Sequence, residues 1–251
     1  MEHNRTLEGK VAIVTGASRG IGLAIAEAMV AQGIHVVGAA RTSEHVEHAI
    51  SRVAEGAGSR ERGGKHAGTF DVRVVDVREH AAVERFVNQV VAAFKGLDIL
   101  VNNAGVGAFG EVAAQPVEEW HQTIETNLTG VFNCCHAAIP CLRRRGGGWI
   151  VNISSLASKN PFPGAAAYCA SKAGLNAFSE ALMQEVRYDG IRVSYVLPGS
   201  VRTEFGGTHS GPGSEWKLAP EDVASAVIGV LLHDPRSLPS RIEIRPSKPR
   251  K

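Results

Sequence analysis

The stretch "KVAIVTGASRGIG", residues 10–22, opens on the apolar run Val11 to Val14 and passes through Thr15 into Gly16, Gly20 and Gly22. The glycines are spaced G-x3-G-x-G. This is not the G-x-G-x-x-G fingerprint, because reading that pattern from Gly20 puts Ile25 where the third glycine belongs. The physics is related. Glycines let a backbone turn tightly and approach a pyrophosphate, which then sits on the free N–H groups of a helix start. A plain strand-to-helix turn could use the same residues, and it is their place directly after a first strand that favours the nucleotide reading.

Outward from this stretch one rhythm repeats. Apolar, β-branched runs at 10–16, 34–40, 70–77, 97–105, 148–155, 191–199 and 241–246 alternate with helical periodicity at 20–32, 43–55, 79–95, 117–145, 166–188 and 220–233. The alternation predicts an α/β fold: one Rossmann-type, doubly wound parallel sheet of about seven strands with helices on both faces. Gly-rich segments at 54–68 and 206–220 are expected as surface loops, and residues 1–6 and 246–251 as flexible tails. With no repeat, long linker or composition break, residues 1–251 are expected to form a single domain.

The chain has 251 residues, of which 44% are hydrophobic and 21% charged, and a net charge of +2, so no bulk attraction to nucleic acid or an anionic membrane is expected. No apolar run is long enough to span a bilayer, and the amino-terminal residues lack the apolar core of a secretory signal. Cys134, Cys135, Cys141 and Cys169 form neither a zinc pattern nor a disulfide framework, which suits a reduced, cytoplasmic setting. His45 and His48 lack a third ligand, so no metal is expected. The Arg143–Arg145 triplet before three glycines reads as a helix terminus rather than a nucleic-acid site.

In open α/β sheets ligands bind outside the carboxyl ends of the strands. The second strand ends "GAARTSE", with Arg41 where an NAD site carries an acid. Together with Arg19 in the glycine loop this favours the 2′-phosphate of NADP(H). Cofactor contacts are assigned to Gly16, Ser18, Arg19, Gly20, Ile21, Gly22 and Arg41, to Asp76 and Val77 at the adenine edge, and to Asn103, Ala104 and Gly105 in "NNAG". In "AAAYCASKAG", residues 165–174, Tyr168 lies one helical turn before Lys172 among small residues. A phenol titrates near 10 when unperturbed, and a neighbouring ammonium is expected to lower that value.

TGASRGIG, NNAG, Asn127 in "ETNLTG", Ser155, Tyr168-x-x-x-Lys172 and "PGSVRT" (198–203), taken in order, resemble the short-chain dehydrogenase/reductase family over about residues 7–245. The subgroup is similar to NADP(H)-dependent 3-oxoacyl-carrier-protein reductases and general ketoreductases. The resemblance implies an oxidoreductase acting on CH–OH and C=O groups, with Asn127, Ser155, Tyr168 and Lys172 catalytic. It implies that Lys172 also holds ribose hydroxyls, that Asn127 keeps a water linking Lys172 to solvent, that Val201 and Thr203 bind the carboxamide, and that Tyr168, Pro198 and Gly199 also contact the cofactor. Phe109, Leu156, Phe162, Phe205 and Trp216 would line the pocket of a hydrophobic or amphipathic carbonyl or alcohol. A homodimer or homotetramer, pairing through 117–145 and 166–188, is also implied. The ending "RIEIRPSKPRK" departs from the carrier-protein reductases' G-x-x-x-x-V-D-G-G. The competing class is a dinucleotide-binding regulatory or scaffold protein with little turnover, which would have no need of the tyrosine acid.

Overall fold

The computed structural model describes residues 6–43, 46–58, 68–205 and 213–249. Seven strands, β1 (Val11–Thr15), β2 (His35–Ala40), β3 (Phe70–Val74), β4 (Ile99–Asn102), β5 (Gly148–Ile153), β6 (Ile191–Pro198) and β7 (Arg241–Ile244), form one sheet in the order β3-β2-β1-β4-β5-β6-β7. Every pairing is parallel. The helices are α1 (Gly20–Val30), α2 (Val46–Gly58), α3 (His80–Phe94), α4 (Val117–Ile124), α5 (Gly130–Arg145), α6 (Ala166–Val186) and α7 (Pro220–Leu231).

The inner strands β1, β2, β4, β5 and β6 are mostly apolar and buried because both faces are covered, whereas the edge strands β3 and β7 carry Asp71, Arg73, Arg241 and Glu243 and stay partly exposed. Successive side chains point to opposite faces, and they divide accordingly. Ala12, Val14, Ile99, Val101, Val151 and Ile153 pack in one core with residues of α1 and α7. Val11, Ile13, Leu100 and Ile150 pack in the other with residues of α3, α5 and α6. Chain order reverses between β1 and β4, so a crevice opens at their carboxyl ends, the topological switch point of such a sheet.

The opposite end is fastened by Asp98. Its buried carboxylate accepts the Val11 N–H at 3.0 Å and the Arg145 Nε at 3.1 Å, with the Lys10 ammonium 3.7 Å away. One side chain thus ties the foot of β1 to the end of α5, and it accounts for Arg145 of the basic triplet.

Several boundaries differ from those expected. β3 stops at Val74, leaving Asp76 and Val77 in the connection to α3. β4 stops at Asn102, so Asn103 to Gly105 lie beyond the ladder. The helix expected over 117–145 is broken by a π turn at Glu125–Thr129, a wider winding that recurs at functional sites. α2 runs on to Gly58, so the surface loop expected from residue 54 starts late; residues 59–67 of it lie outside the described residues, as does His45. In the second expected loop 206–212 lie outside them too, and Pro220 already belongs to α7, where Pro suits the first turn. Of the expected tails, 1–5 and 250–251 are outside the described residues, whereas Pro246 packs against Gly199.

Candidate active site

At the head of β1 the chain turns into α1 through Gly16, whose φ of +66° is a left-handed conformation that L side chains rarely adopt. A Cβ on Gly22 would lie 2.2 Å from the Gly16 carbonyl oxygen and 2.4 Å from Asn103 Nδ2, so no side chain fits there. Arg19, extended at the residue before α1, supplies no side-chain cap. The first-turn N–H groups are therefore left for an anion, and the cradle fits a pyrophosphate. Asn103 ties the loop to β4. Its Nδ2 donates to the carbonyls of Thr15 (3.0 Å) and Gly16 (3.1 Å), while Thr15 Oγ1 accepts the N–H groups of Asn103 and Ala104, both at 3.0 Å.

Around this cradle lie the charged groups. Arg41 is exposed just past β2, and its charge helps hold the Asp76 carboxyl below the usual range. The larger cause is Arg78, which clamps Asp76 through Nε at 3.0 Å and Nη2 at 2.6 Å. Arg19 is already engaged: its guanidinium meets Glu204 at 2.8 Å, between two largely exposed side chains. Thr203 lies over Gly20, 3.4 Å from where a Cβ would stand. "PGSVRT" thus covers the glycine loop, and a single bridge from Val201 to Leu218 straps the base of the segment that follows.

The four residues expected to be catalytic converge beyond Gly105. Asn127, fully buried in the π turn, accepts the Val106 N–H at 2.8 Å and donates to the Val106 carbonyl at 2.9 Å and to Ser171 Oγ at 3.0 Å. Lys172 is buried on α6; its ammonium donates to the Ile153 carbonyl at 2.9 Å and lies 5.9 Å from the Tyr168 ring centre. Ser155 lies two residues past the end of β5, and its hydroxyl faces the Tyr168 phenol closely enough to lower that group's pKa.

The expected depression of the phenol pKa by Lys172 is not what the structure has. Burial pushes the Tyr168 phenol above its ordinary range, and the Ser155 hydrogen bond offsets this in part. Burial also pulls Lys172 down to about 8. The physical reason is desolvation, which disfavours the charged form of both groups. At neutral pH Tyr168 is therefore a protonated phenol, ready to donate.

Three of the five expected pocket residues gather round that phenol. Phe109 and Phe205 meet the Tyr168 ring at 5.9 and 5.5 Å, and Phe162 stacks on Phe109 at 6.3 Å. All three phenylalanines stay partly exposed on separate loops. Gly107 makes room for them, since a Cβ there would come within 2.7 Å of Phe205 and 3.0 Å of Phe109. Leu156 packs near Gly199, and Trp216 is half-buried in the strap without joining the ring contacts found among the described residues.

Sequence reasoning missed Asn176. It lies one turn past Lys172 and bonds Ser154 Oγ and Ser158 Oγ, on either side of Ser155. A polar residue every fourth position on a helix was the only available signal. Glu204 and Arg78, the partners of Arg19 and Asp76, were missed as well.

The chain matches the family model described as short chain dehydrogenase over residues 10–210. It is 40% identical over 200 residues to the 3-oxoacyl-(acyl-carrier-protein) reductase FabG of Escherichia coli (strain K12), covering 79% of this chain and 76% of that one. It is 36% identical over 232 residues to 3beta-hydroxysteroid dehydrogenase 1 of Eggerthella lenta, covering 88% and 85%. Among solved structures, the alcohol dehydrogenase from the archaeon Thermococcus sibiricus complexed with 5-hydroxy-NADP superposes with a TM-score of 0.84 at 31% identity, covering 96% of this chain and 98% of that one.

Proposed function

We propose that this chain, which belongs to the short-chain dehydrogenase family, is an NADP(H)-dependent oxidoreductase of apolar ketones and their secondary alcohols, with Tyr168 as its general acid and base. The observation that carries this reading is the buried, protonated Tyr168 phenol beside Ser155 and Lys172, with Gly105 next to Lys172 and Asn103 and Ala104 against Gly16 of the glycine cradle. When bound, the dinucleotide supplies the hydride to the substrate carbon or takes it up. Gly16, Ser18, Gly20, Ile21 and Gly22 would hold its pyrophosphate, Arg19 and Arg41 its 2′-phosphate, and Asp76 and Val77 its adenine edge. Lys172 would hold ribose hydroxyls, Val201 and Thr203 the carboxamide, and Pro198 and Gly199 would border the cofactor beside them. Ser155 donates a hydrogen bond to the substrate oxygen and Tyr168 delivers a proton to that oxygen. The absence of an acid at the end of β2 supports the phosphorylated dinucleotide, as does the 5-hydroxy-NADP of the Thermococcus enzyme.

The aromatic mouth supports a bulky, uncharged carbonyl. Near the three phenylalanines in sequence, Glu204 is paired with Arg19 and Lys159 with Glu243, while Glu111 is exposed. The steroid named for the Eggerthella relative is apolar in the same sense. A cytoplasmic setting belongs to the same reading, supported by four cysteines that are free and buried; no helix of the described residues is long and apolar enough to cross a membrane. So does a homodimer or homotetramer, for which the exposed Val117, Trp120 and Phe132 of α4 and α5 offer an apolar face.

The test is NADPH oxidation over a panel of aryl, alicyclic, steroidal and linear ketones with an acetoacetyl thioester among them. Turnover is expected with ring-bearing ketones. In Tyr168→Phe it should fall by roughly 10²- to 10⁴-fold while NADPH binding is kept. Tight binding of the dinucleotide by the unaltered chain, with no turnover across the panel, would instead establish the regulatory or scaffold alternative.

A further inference from the structure

We propose that Asn176 is a positioning residue for Ser155, fixing the backbone on both sides of the serine so that its hydroxyl meets the Tyr168 phenol. This rests on the oxidoreductase reading above. Tyr168, Lys172 and Asn176 follow one another at intervals of four on α6 and so share a face. The Asn176 Oδ1 accepts from Ser154 Oγ at 2.6 Å, and its Nδ2 donates to Ser158 Oγ at 2.7 Å. Ser158 Oγ in turn donates to the Ser155 carbonyl at 2.5 Å. A serine hydroxyl has one proton. That of Ser158 is spent on Ser155, so Ser158 must accept from Asn176, and this fixes which way the amide points. Ser154 is buried and Asn176 half-buried, so solvent is a poor substitute for either bond, and the Lys172 carbonyl, 3.3 Å from Ser154 Oγ, is only the longer alternative acceptor. The Ser155 hydroxyl accepts the Ala157 N–H at 3.1 Å, which leaves its own proton for an oxygen in front of it.

Lys172 and Cys169 are the titratable neighbours of the phenol on its own helix; the elements facing it contribute Ser155, Phe109 and Phe205, which carry no charge. The Ser155 bond lowers the phenol pKa. Loss of Asn176 therefore has a signature beyond lost stability: the titration of Tyr168 moves to higher pH.

The experiment compares the full chain with Asn176→Ala, Ser158→Ala and the double variant. It reads kcat, KM, the NADPH dissociation constant, the melting temperature, and the Tyr168 titration by 13Cζ-tyrosine NMR, with Tyr168→Phe identifying the signal. Each single variant should lose about 10- to 100-fold in kcat, with KM and NADPH affinity held within about twofold. The phenol titration should rise in both, and the double variant should be no worse than the singles, as for members of one chain of bonds. Asn176→Asp keeps the acceptor for Ser154 and loses the donor to Ser158, so it should behave like Ser158→Ala. Should Asn176→Ala fail to fold, Ser158→Ala severs the same chain from a surface turn. An unmoved phenol titration, an unchanged kcat, or single losses that multiply in the double variant each overturn the proposal. If the unaltered chain reduces no carbonyl, the oxidoreductase reading fails, while the phenol titration still decides whether Asn176 governs the Ser155–Tyr168 bond.

Discussion

Lys172 carries a cost that the fold accepts for the sake of the site. Its pKa falls from an ordinary 10.5 to about 8 because the ammonium is buried with one carbonyl partner. Below pH 8 both folded and unfolded chains hold the proton, and the penalty of burying the charge is fully present. Between pH 8 and 10.5 the folded chain sheds the proton while the unfolded chain keeps it, so the penalty fades. Lys172→Met should therefore be more stable than the native chain by up to about 3 kcal/mol at pH 7, with the gap narrowing toward pH 10 in urea titrations, and it should be inactive at both. Arg41 makes the second residue-scale prediction. Arg41→Asp should weaken NADPH by about 10- to 100-fold, the worth of a charge-assisted hydrogen bond or two, and favour NADH in a binding titration. Arg19→Ala should matter less, because Glu204 already shares that guanidinium. The acid, its lysine and the cofactor arginines were legible as residue types at fixed spacings. Their electrostatics were not, because burial is a property of the folded surroundings: spacing put Lys172 beside Tyr168 and could not say that desolvation would outweigh it.

Among the elements, the β1–α1 turn is the least tolerant of change. Gly22→Ala would drive a methyl into the Gly16 carbonyl and the Asn103 amide at once. Displacing Asn103 frees the wall at the end of β4 from the loop at the end of β1. The expected result is loss of nucleotide binding together with destabilisation of about 1–3 kcal/mol, the usual cost of overpacking, read by thermal shift with and without NADPH. Strand identity was legible because a strand buried on both faces reads as an unbroken apolar run, and the glycines mark where the first run ends. The π turn of Glu125–Thr129 was not, since "ETNLT" continues a helical pattern without a break. The extra residue it accommodates turns Asn127 inward onto Val106. The late end of α2 was hidden for the opposite reason: glycines that would stop most helices at residue 56 do not stop this one before Gly58.

Across the whole molecule the two ends of the sheet do separate work. The glycine cradle, Ser155, Tyr168 and the phenylalanine mouth gather where the strands finish, and Asp98 fastens the place where β1 and β4 begin. Asp98→Ala strips the Val11 N–H and Arg145 of their acceptor and should lower stability by about 2–4 kcal/mol with kcat per folded molecule unchanged, as active-site titration would show. Sequence periodicity gave the parallel sheet and the helices on its two faces. It could not give this fastening, whose partners lie 87 and 47 residues from Asp98 along the chain. The practical corollary concerns handling: anchoring the protein to a bead or fusing it to a second enzyme through the Asp98 side leaves the mouth facing outward, so immobilised material should keep its full specific activity, whereas attachment through the rim at Phe162 should blind it.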